Sequence, residues 1–257
     1  MQIEKTISHI IDWLIDYKLQ SQMKGFIIGI SGGVDSALTS ILAAKSGIPL
    51  PCLEMPIHQD EQQEKRGEKH ILLLKEKFKN VSSKKIDLTP IFESFIRNLK
   101  EEERNNKLAL ANTRARLRMT TLYYYAQSND YLVLGTGNKV EDFGIGFFTK
   151  YGDGGVDINP IADLLKSEVY LLAKELKINA DILAAPPTDG LWEDNKNDEE
   201  QIGASYSELE WAMNYSKKNT ILNKRQKEVL KIYGQLNKRN QHKMHPIPVC
   251  KIPKHLK

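Results

Sequence analysis

Long apolar runs are missing from this 257-residue sequence. The apolar stretch near the start, from His9 to Leu19, is interrupted by Asp12 and Asp16. Such a stretch is too short and too polar for a signal peptide or a membrane-spanning helix. We therefore expect a protein without membrane contact that works in the cytoplasm.

Cysteine is scarce, and the net charge is small. Cys52 and Cys250 form no CxxC pair and no disulfide framework, which favours a reducing compartment. The charge of +4 is too weak to indicate nucleic-acid binding, although the basic residues between Lys217 and Lys257 suit a small anionic ligand. Internal repeats and low-complexity tracts are also absent. Because 40% of the residues are apolar, we expect residues 1–257 to form a single domain.

The most informative stretch joins an apolar run to a glycine turn and then to a helix. Phe26 to Gly29 has strand character, Ser31 to Ser36 reads SGGVDS, and helical spacing follows. A helix N-terminus with glycines beside it exposes backbone N–H groups to an anion, so the turn predicts a phosphate-binding loop. The lysine of the GxxxxGK[ST] loop is missing. Asp35 stands in this loop instead, and a carboxylate beside polyphosphate implies a bridging magnesium ion.

Strand and helix patterns alternate along most of the chain. This rhythm predicts an α/β fold, a doubly wound and mostly parallel sheet of the Rossmann-like type with helices on both faces, which binds ligands at the carboxyl ends of its strands. Strands are expected at about 26–30, 51–57, 81–88 and 131–134. Helices are expected over 3–19, 90–99, 108–126, 208–215 and 224–233, and two more are expected to end at about 45 and 78. Another helix should begin at Pro160, and the tail over 238–257 should be extended.

Two further loops carry polar residues of the kinds that bind ligands. After the strand at Tyr131, the sequence reaches Glu141 and Asp142, and the switch-point rule places this loop near the first one. Either acid could therefore share a magnesium ion with Asp35. The glycine-rich loop from Phe147 to Pro160 is longer and more charged than a connection needs, and the acidic stretch from Leu191 to Gln201 is a candidate flap.

These segments together resemble a known family. SGGVDS alone resembles the loop of the ATP-pyrophosphatase superfamily, the adenine nucleotide alpha-hydrolase-like enzymes. LGTGNKVED at 134–142, FFTKYGDGG at 147–155, PPT at 186–188, Asp198-Glu199 and His242-Lys243 then follow in the order of the NAD synthetase family. The resemblance is to its short, ammonia-dependent form, which lacks a glutamine amidase domain. It implies that the nicotinate carboxylate of deamido-NAD attacks ATP, releasing pyrophosphate, and that ammonia then displaces AMP to give NAD.

The resemblance also implies roles for individual residues. Asp35 and Glu141 match the magnesium ligands. The catalytic candidates are Asp35, Lys166 and Asp153, of which Asp153 would polarise the incoming ammonia. The residues matching the ATP contacts are Gly29, Ile30, Ser31, Gly32, Gly33, Val34, Asp35, Ser36, Thr136, Lys166 and Thr188. Those matching the deamido-NAD contacts are Arg116, Lys150, Asp157, His242 and Lys243. The family is typically a homodimer that binds deamido-NAD across its interface.

The sequence departs from the family pattern at two places. Glu141 and Lys150 are one residue further apart than in many relatives, so that Asp142 could be the acid that meets the metal. Glu54 and Met55 precede Pro56 where many relatives carry an arginine.

Two other functions are compatible with the phosphate-binding loop. One is an ATP pyrophosphatase that amidates or thiolates another acceptor, such as GMP or a tRNA base, and the other is a non-catalytic module that binds ATP or AMP. The Lys150–Asp157 loop, together with Asp35 and Lys166, favours the synthetase.

Overall fold

A parallel sheet forms the centre of the molecule. The computed structural model describes residues 1–188, 197–216 and 221–257. Its strands β1 (Gly25–Gly29), β2 (Leu50–Glu54), β3 (Val81–Lys85) and β4 (Tyr131–Val133) lie in the order β3-β2-β1-β4. Ile28 is paired with Cys52 on one side of β1, and Phe26 with Leu132 on the other. The strand order reverses at β1, which creates a switch point at the carboxyl end of β1.

Helices cover both faces of this sheet, which confirms the predicted α/β fold. In the described residues they are α1 (Ile3–Ser21), α2 (Val34–Lys45), α3 (Glu61–Lys77), α4 (Thr89–Arg97), α5 (Lys107–Asn129), α6 (Lys166–Glu175), α7 (Ala180–Ala184), α8 (Asp198–Ile202), α9 (Tyr206–Asn214) and α10 (Lys224–Met244). Short 3₁₀ turns span Glu101–Asn105 and Lys254–Leu256, and a π-helix spans Val140–Ile145.

Alternate residues of β1 enter different cores. Phe26 and Ile28 pack with α1, α2, α3 and α6, whereas Ile27 packs on the opposite face with α4 and α5. This alternation follows from the two-residue period of a strand that is buried on both faces. A third cluster joins the π-helix to α8, α9 and α10 through residues such as Val140, Leu209 and Val229. The C-terminal helices are thereby fixed beside the edge of the sheet that carries the predicted site.

Two predicted boundaries are wrong. The helix expected from Pro160 begins only at Lys166, because turns occupy 159–164 and Leu165 is its N-cap residue, whose N–H donates to the Glu168 carboxylate at 2.9 Å. The tail expected to be extended from Lys238 is helical as far as Met244. Asn237 and Asn240 donate to the carbonyls of Gly144 and Ile145 and so hold this part of α10 in place.

Further findings concern the remaining segments. The predicted flap at Leu191 to Gln201 lies outside the described residues over 191–196, and its end belongs to α8. Both cysteines are free, with Cys52 buried and Cys250 exposed. Among the described helices, none combines the length and the apolarity that crossing a bilayer requires.

Candidate active site

A cavity of about 980 Å³ opens at the carboxyl ends of the strands. Its walls come from the loops after β1, β2 and β4, from α3 and α5, and from the C-terminal end of α10. The position is the one expected for ligands in a doubly wound sheet. The predicted ATP residues Gly29 to Ser36, Thr136, Lys166 and Thr188 all line it.

The SGGVDS loop is shaped by its own hydroxyl groups and by α3. Ser36 Oγ accepts the Ser31 N–H at 3.3 Å and donates to the Gly33 carbonyl at 3.1 Å. Gly32 has φ of +80°, and a Cβ there would lie 2.3 Å from the backbone oxygen of Gln63. Only glycine fits such a position without displacing helix α3. The loop therefore brings its backbone close to the start of α2, as a phosphate-binding loop requires.

Three charged side chains meet beside this loop. The Lys166 ammonium lies 2.6 Å from Asp35 Oδ2 and 3.0 Å from Glu141 Oε1, and only 4% of the Lys166 side chain is exposed. Asn138 donates to the other oxygen of Asp35 at 3.1 Å. Lys166 is the first residue of α6, where the helix dipole disfavours a cation. The two carboxylates offset this effect and the cost of burial.

The ionisation of the cluster follows from these contacts. Burial by itself would lower the pKa of Lys166, but Asp35 and Glu141 outweigh it and raise the pKa above its usual value. Burial opposes ionisation of Glu141 as well, yet Lys166 and the Tyr206 hydroxyl lower its pKa. The pKa of Asp35 is raised by burial, which Lys166 and Asn138 offset only in part. The cluster thus holds a permanent ammonium between two acids.

Glu141 and Asp142 point to different places. Glu141 joins Lys166, whereas Asp142 accepts a hydrogen bond from Asn159 Nδ2 at 2.7 Å and packs against Gly137. Burial and the nearby charge of Glu141 raise the pKa of Asp142 to about 8. The hydrogen bond from Asn159 turns this carboxylate away from Lys166 and Asp35. Of the two acids, the geometry favours Glu141 as the partner of Asp35.

The donor set of Asp35 and Glu141 fits a magnesium ion. Magnesium prefers carboxylate oxygens and is usually held by one or two of them, with substrate phosphates and water completing its shell. In the described part of the chain, no group of three or more His, Cys, Asp or Glu side chains could hold a metal ion. Two carboxylates fill only part of a magnesium shell, so Asp35 and Glu141 suit an ion that arrives with a phosphate ligand.

The glycine-rich loop and α10 form the other end of the cavity. Arg116 donates to the Lys150 carbonyl at 3.3 Å, Lys150 Nζ donates to the His242 carbonyl, and Lys243 Nζ donates to the Phe148 carbonyl at 2.7 Å. Asp153 accepts the Thr149 N–H at 2.9 Å, and it lines the cavity together with these four predicted residues. The glycine-rich loop and α10 thus place several positive side chains on this wall of the cavity.

Asp157 lies apart from this group. Its carboxylate accepts hydrogen bonds from the Tyr123 hydroxyl at 3.0 Å and from the Val133 N–H at 2.8 Å. It is not among the described residues that line the cavity. Within a single copy of the chain, Asp157 therefore fixes the loop to β4, and its contact with deamido-NAD stays a prediction.

Sequence reasoning missed two side chains that support the charged cluster. Asn138 is buried and bonded to Asp35, and Tyr206 is buried with its hydroxyl on Glu141. Asn138 lies within the LGTGNKVED string, but an asparagine in a loop usually indicates only a turn. Tyr206 gave no signal, because its contact to Glu141 joins residues that are far apart in the chain.

Comparison with known proteins agrees with this geometry. The NAD synthase family model matches residues 6–247. The NH(3)-dependent NAD(+) synthetase of Mycoplasmopsis pulmonis is 41% identical over 210 residues, covering 79% of this chain and 76% of the relative. That of Carboxydothermus hydrogenoformans is 34% identical over 248 residues, covering 93% and 94%.

Solved structures give the same result. The NMN synthetase from Francisella tularensis has a TM-score of 0.85 at 30% identity and covers 99% of both chains. The NH3-dependent NAD synthetase from Campylobacter jejuni, solved with a nitrate ion, has a TM-score of 0.79 at 25% identity and covers 98% of this chain and all of the other. With the phosphate loop, the buried Lys166 cluster and the glycine-rich loop in one cavity, the chain belongs to the NAD synthase family.

Proposed function

We propose that this protein uses ATP and ammonia to convert deamido-NAD into NAD, releasing AMP and pyrophosphate, as the last step of NAD biosynthesis. The observation that carries the proposal is the buried Lys166 ammonium, held by Asp35 and Glu141 next to the SGGVDS loop. A non-catalytic ATP sensor has no need for a buried cation where pyrophosphate leaves. Membership of the NAD synthase family argues against a different acceptor.

The loop and Lys166 act on the phosphates of ATP. The backbone N–H groups at the start of α2 suit the departing pyrophosphate, and Ser31 and Ser36 keep them in place. As the nicotinate carboxylate attacks the α-phosphate, negative charge moves onto the phosphate oxygens. A fixed ammonium at Lys166 gains interaction energy during that step, so it stabilises the transition state more than the bound ATP.

Asp35 and Glu141 would hold magnesium together with the phosphates of ATP. The ion, when bound, would neutralise phosphate charge and favour the departure of pyrophosphate. The two carboxylates also hold Lys166 and give it a defined position.

The second substrate would lie against the glycine-rich loop and α10. Arg116, Lys150, His242 and Lys243 suit the pyrophosphate and carboxylate groups of deamido-NAD. Asp153, held by the Thr149 N–H, would accept a proton from ammonia as the amide forms. A homodimer with deamido-NAD across its interface would give Asp157 a ligand to contact. The dimer and a cytoplasmic location stay predictions.

The direct test is to supply purified protein with ATP, Mg²⁺, ammonium and deamido-NAD. We expect NAD, AMP and pyrophosphate in equal amounts, and no NAD when glutamine replaces ammonium, because glutamine use requires an amidase site with a nucleophilic cysteine. Glutamine-dependent NAD formation by a preparation free of amidase would contradict the ammonia assignment. Formation of ADP instead of AMP would contradict the proposed cleavage.

A second acceptor belongs in the same assay because a structure with TM-score 0.85 to this chain is an NMN synthetase. Nicotinic acid mononucleotide lacks the adenylate half of deamido-NAD. Faster turnover of the mononucleotide than of deamido-NAD, measured as kcat/KM, would reassign the acceptor and leave the ATP chemistry unchanged.

A further inference from the structure

Tyr206 lies at the first position of helix α9, beneath the charged cluster. Its hydroxyl donates to Glu141 Oε1 and is 3.2 Å from Asp198 Oδ2. Only 6% of the residue is exposed. A phenol hydroxyl carries one proton, so a short bond to Glu141 fixes which way that carboxylate points.

The ring of Tyr206 makes a second contact with the cluster. The Lys166 ammonium lies 4.7 Å from the ring centroid, which is within the range of a cation–π interaction. The hydroxyl and the face of a single side chain therefore contact Glu141 and Lys166, the two groups that must keep their relative position when phosphate arrives.

The backbone around Tyr206 is also held firmly. The Ser205 N–H and side chain form a reciprocal capping box with Glu208, and Arg225 of α10 bonds the Glu208 carboxylate at 2.7 and 2.8 Å. The Tyr206 N–H donates to Glu199 of α8 at 2.8 Å. A side chain mounted on such an anchored turn has few alternative positions, which is what a supporting residue requires.

We propose that Tyr206 is a positioning residue whose hydroxyl holds Glu141 in the orientation that receives the metal ion and whose ring supports Lys166. This inference rests on the proposed function and extends it to helix α9. Residues that orient metal-binding carboxylates typically change metal affinity or activity by about 10- to 100-fold when they are lost.

The test is Tyr206→Phe, which keeps the ring and removes only the hydroxyl. Mn²⁺ replaces Mg²⁺ as a paramagnetic probe, and its binding is titrated by electron paramagnetic resonance with α,β-methylene ATP present. We expect Mn²⁺ affinity to fall about tenfold, kcat to fall by a similar factor and the KM for deamido-NAD to change little. Wild-type Mn²⁺ affinity in a folded Tyr206→Phe would overturn the inference.

A double-mutant cycle with Glu141→Gln separates positioning from general structural support. If Tyr206 acts through Glu141, Tyr206→Phe will have no further effect on Mn²⁺ affinity in the Glu141→Gln background. Equal losses in both backgrounds would mean that the hydroxyl supports the fold generally, and would overturn the inference. The cycle compares affinities of folded protein, so it remains decisive if Tyr206→Phe lowers the melting temperature.

Tyr233→Phe is the matched control. Tyr233 packs in the same apolar cluster as Tyr206, against Gly144, but in the described part of the chain it contacts neither Glu141 nor Lys166. We expect wild-type Mn²⁺ affinity and kcat for this variant. Because the Mn²⁺ titration uses no acceptor, it tests Tyr206 even if the wild type fails to make NAD, which would contradict only the proposed function.

Discussion

Helix α2 carries two polar side chains whose partners stabilise them in opposite ways. Asp35, in its first turn, meets Lys166 in a charged cluster that faces the cavity. Ser40, less than two turns further on, bonds the buried His70 at 2.8 Å in the core. Burial lowers the pKa of His70 to about 4, so this second pair is neutral at pH 7.

The difference shows where this protein keeps buried charge. An unpaired charge inside a protein costs several kcal/mol, and it is usually removed by a change of protonation. His70 takes that course, because the described residues around it offer no acid. Lys166 stays charged because two acids surround it. Charge is retained at the end of α2 that a ligand can reach, and is absent from the part that serves only packing.

The largest effect is expected from removing the cation of the charged pair. Lys166→Met should lower kcat by about 100- to 1,000-fold, with much smaller changes in the KM for ATP and deamido-NAD, because a preorganised charge acts on the transition state. Steady-state kinetics on the folded variant measure this. A large rise in KM at unchanged kcat would mean that Lys166 only binds ATP.

The same variant tests the electrostatic balance of the cluster. Without Lys166, Asp35 and Glu141 lose the cation between them, and breaking a buried ion pair typically costs about 3 to 5 kcal/mol. The free energy of unfolding, measured in urea without metal, should fall by about that amount. Mg²⁺ with ATP should restore part of it, and equal losses with and without Mg²⁺ would contradict the proposed metal site.

A smaller effect is expected from Asp35→Asn, which removes one acid but leaves Lys166 paired with Glu141. Apparent affinity for Mg²⁺ in the ATP reaction should fall about tenfold, while the fold persists. Glu141→Gln should act similarly, whereas Asp142→Asn should change little because Asp142 bonds Asn159. A damaging Asp142→Asn beside a silent Glu141→Gln would move the metal assignment by one residue.

The neutral pair should respond to pH and leave catalysis unchanged. An unfolded His70 takes up a proton near pH 6.5, and the folded protein resists protonation until about pH 4. The contribution of neutral His70 to the free energy of unfolding is therefore complete above pH 6.5. It is lost as the pH falls toward 4, by about 3 kcal/mol in total. His70→Gln should flatten this part of the pH dependence in urea unfolding, with wild-type kcat at pH 7. An unchanged slope would contradict a neutral, buried His70.

The smallest effect on stability is expected from a change at Thr39, the residue before Ser40. Thr39 is fully buried, and its Oγ1 has no hydrogen-bond partner among the described residues. Thr39→Val has nearly the same shape and removes the unsatisfied hydroxyl, so the free energy of unfolding should rise by about 1 kcal/mol. Urea unfolding measures the change. A loss of stability would indicate that Oγ1 has a partner, such as a buried water.

Local chemistry made much of this architecture predictable. SGGVDS follows an apolar run and precedes helical spacing, so the strand, the loop and α2 are determined by neighbouring residues. The start of α6 was harder, because it depends on Leu165 and Glu168, and no Ser, Thr, Asp or Asn marks that boundary. Tyr206 could not be found in this way. Its role depends on α9 packing against the π-helix, a contact between residues 65 positions apart.

The π-helix at Val140–Ile145 bears on how this chain tolerates a change of length. Each turn of a π-helix holds about one residue more than an α-helical turn, because its hydrogen bonds run from i to i+5. The family resemblance predicts one residue more between Glu141 and Lys150 than many relatives have. A wide turn would take up such a residue where it occurs, and both ends of the interval line one cavity. We expect an insertion at this place to be confined to a single turn instead of shifting the register of a whole loop.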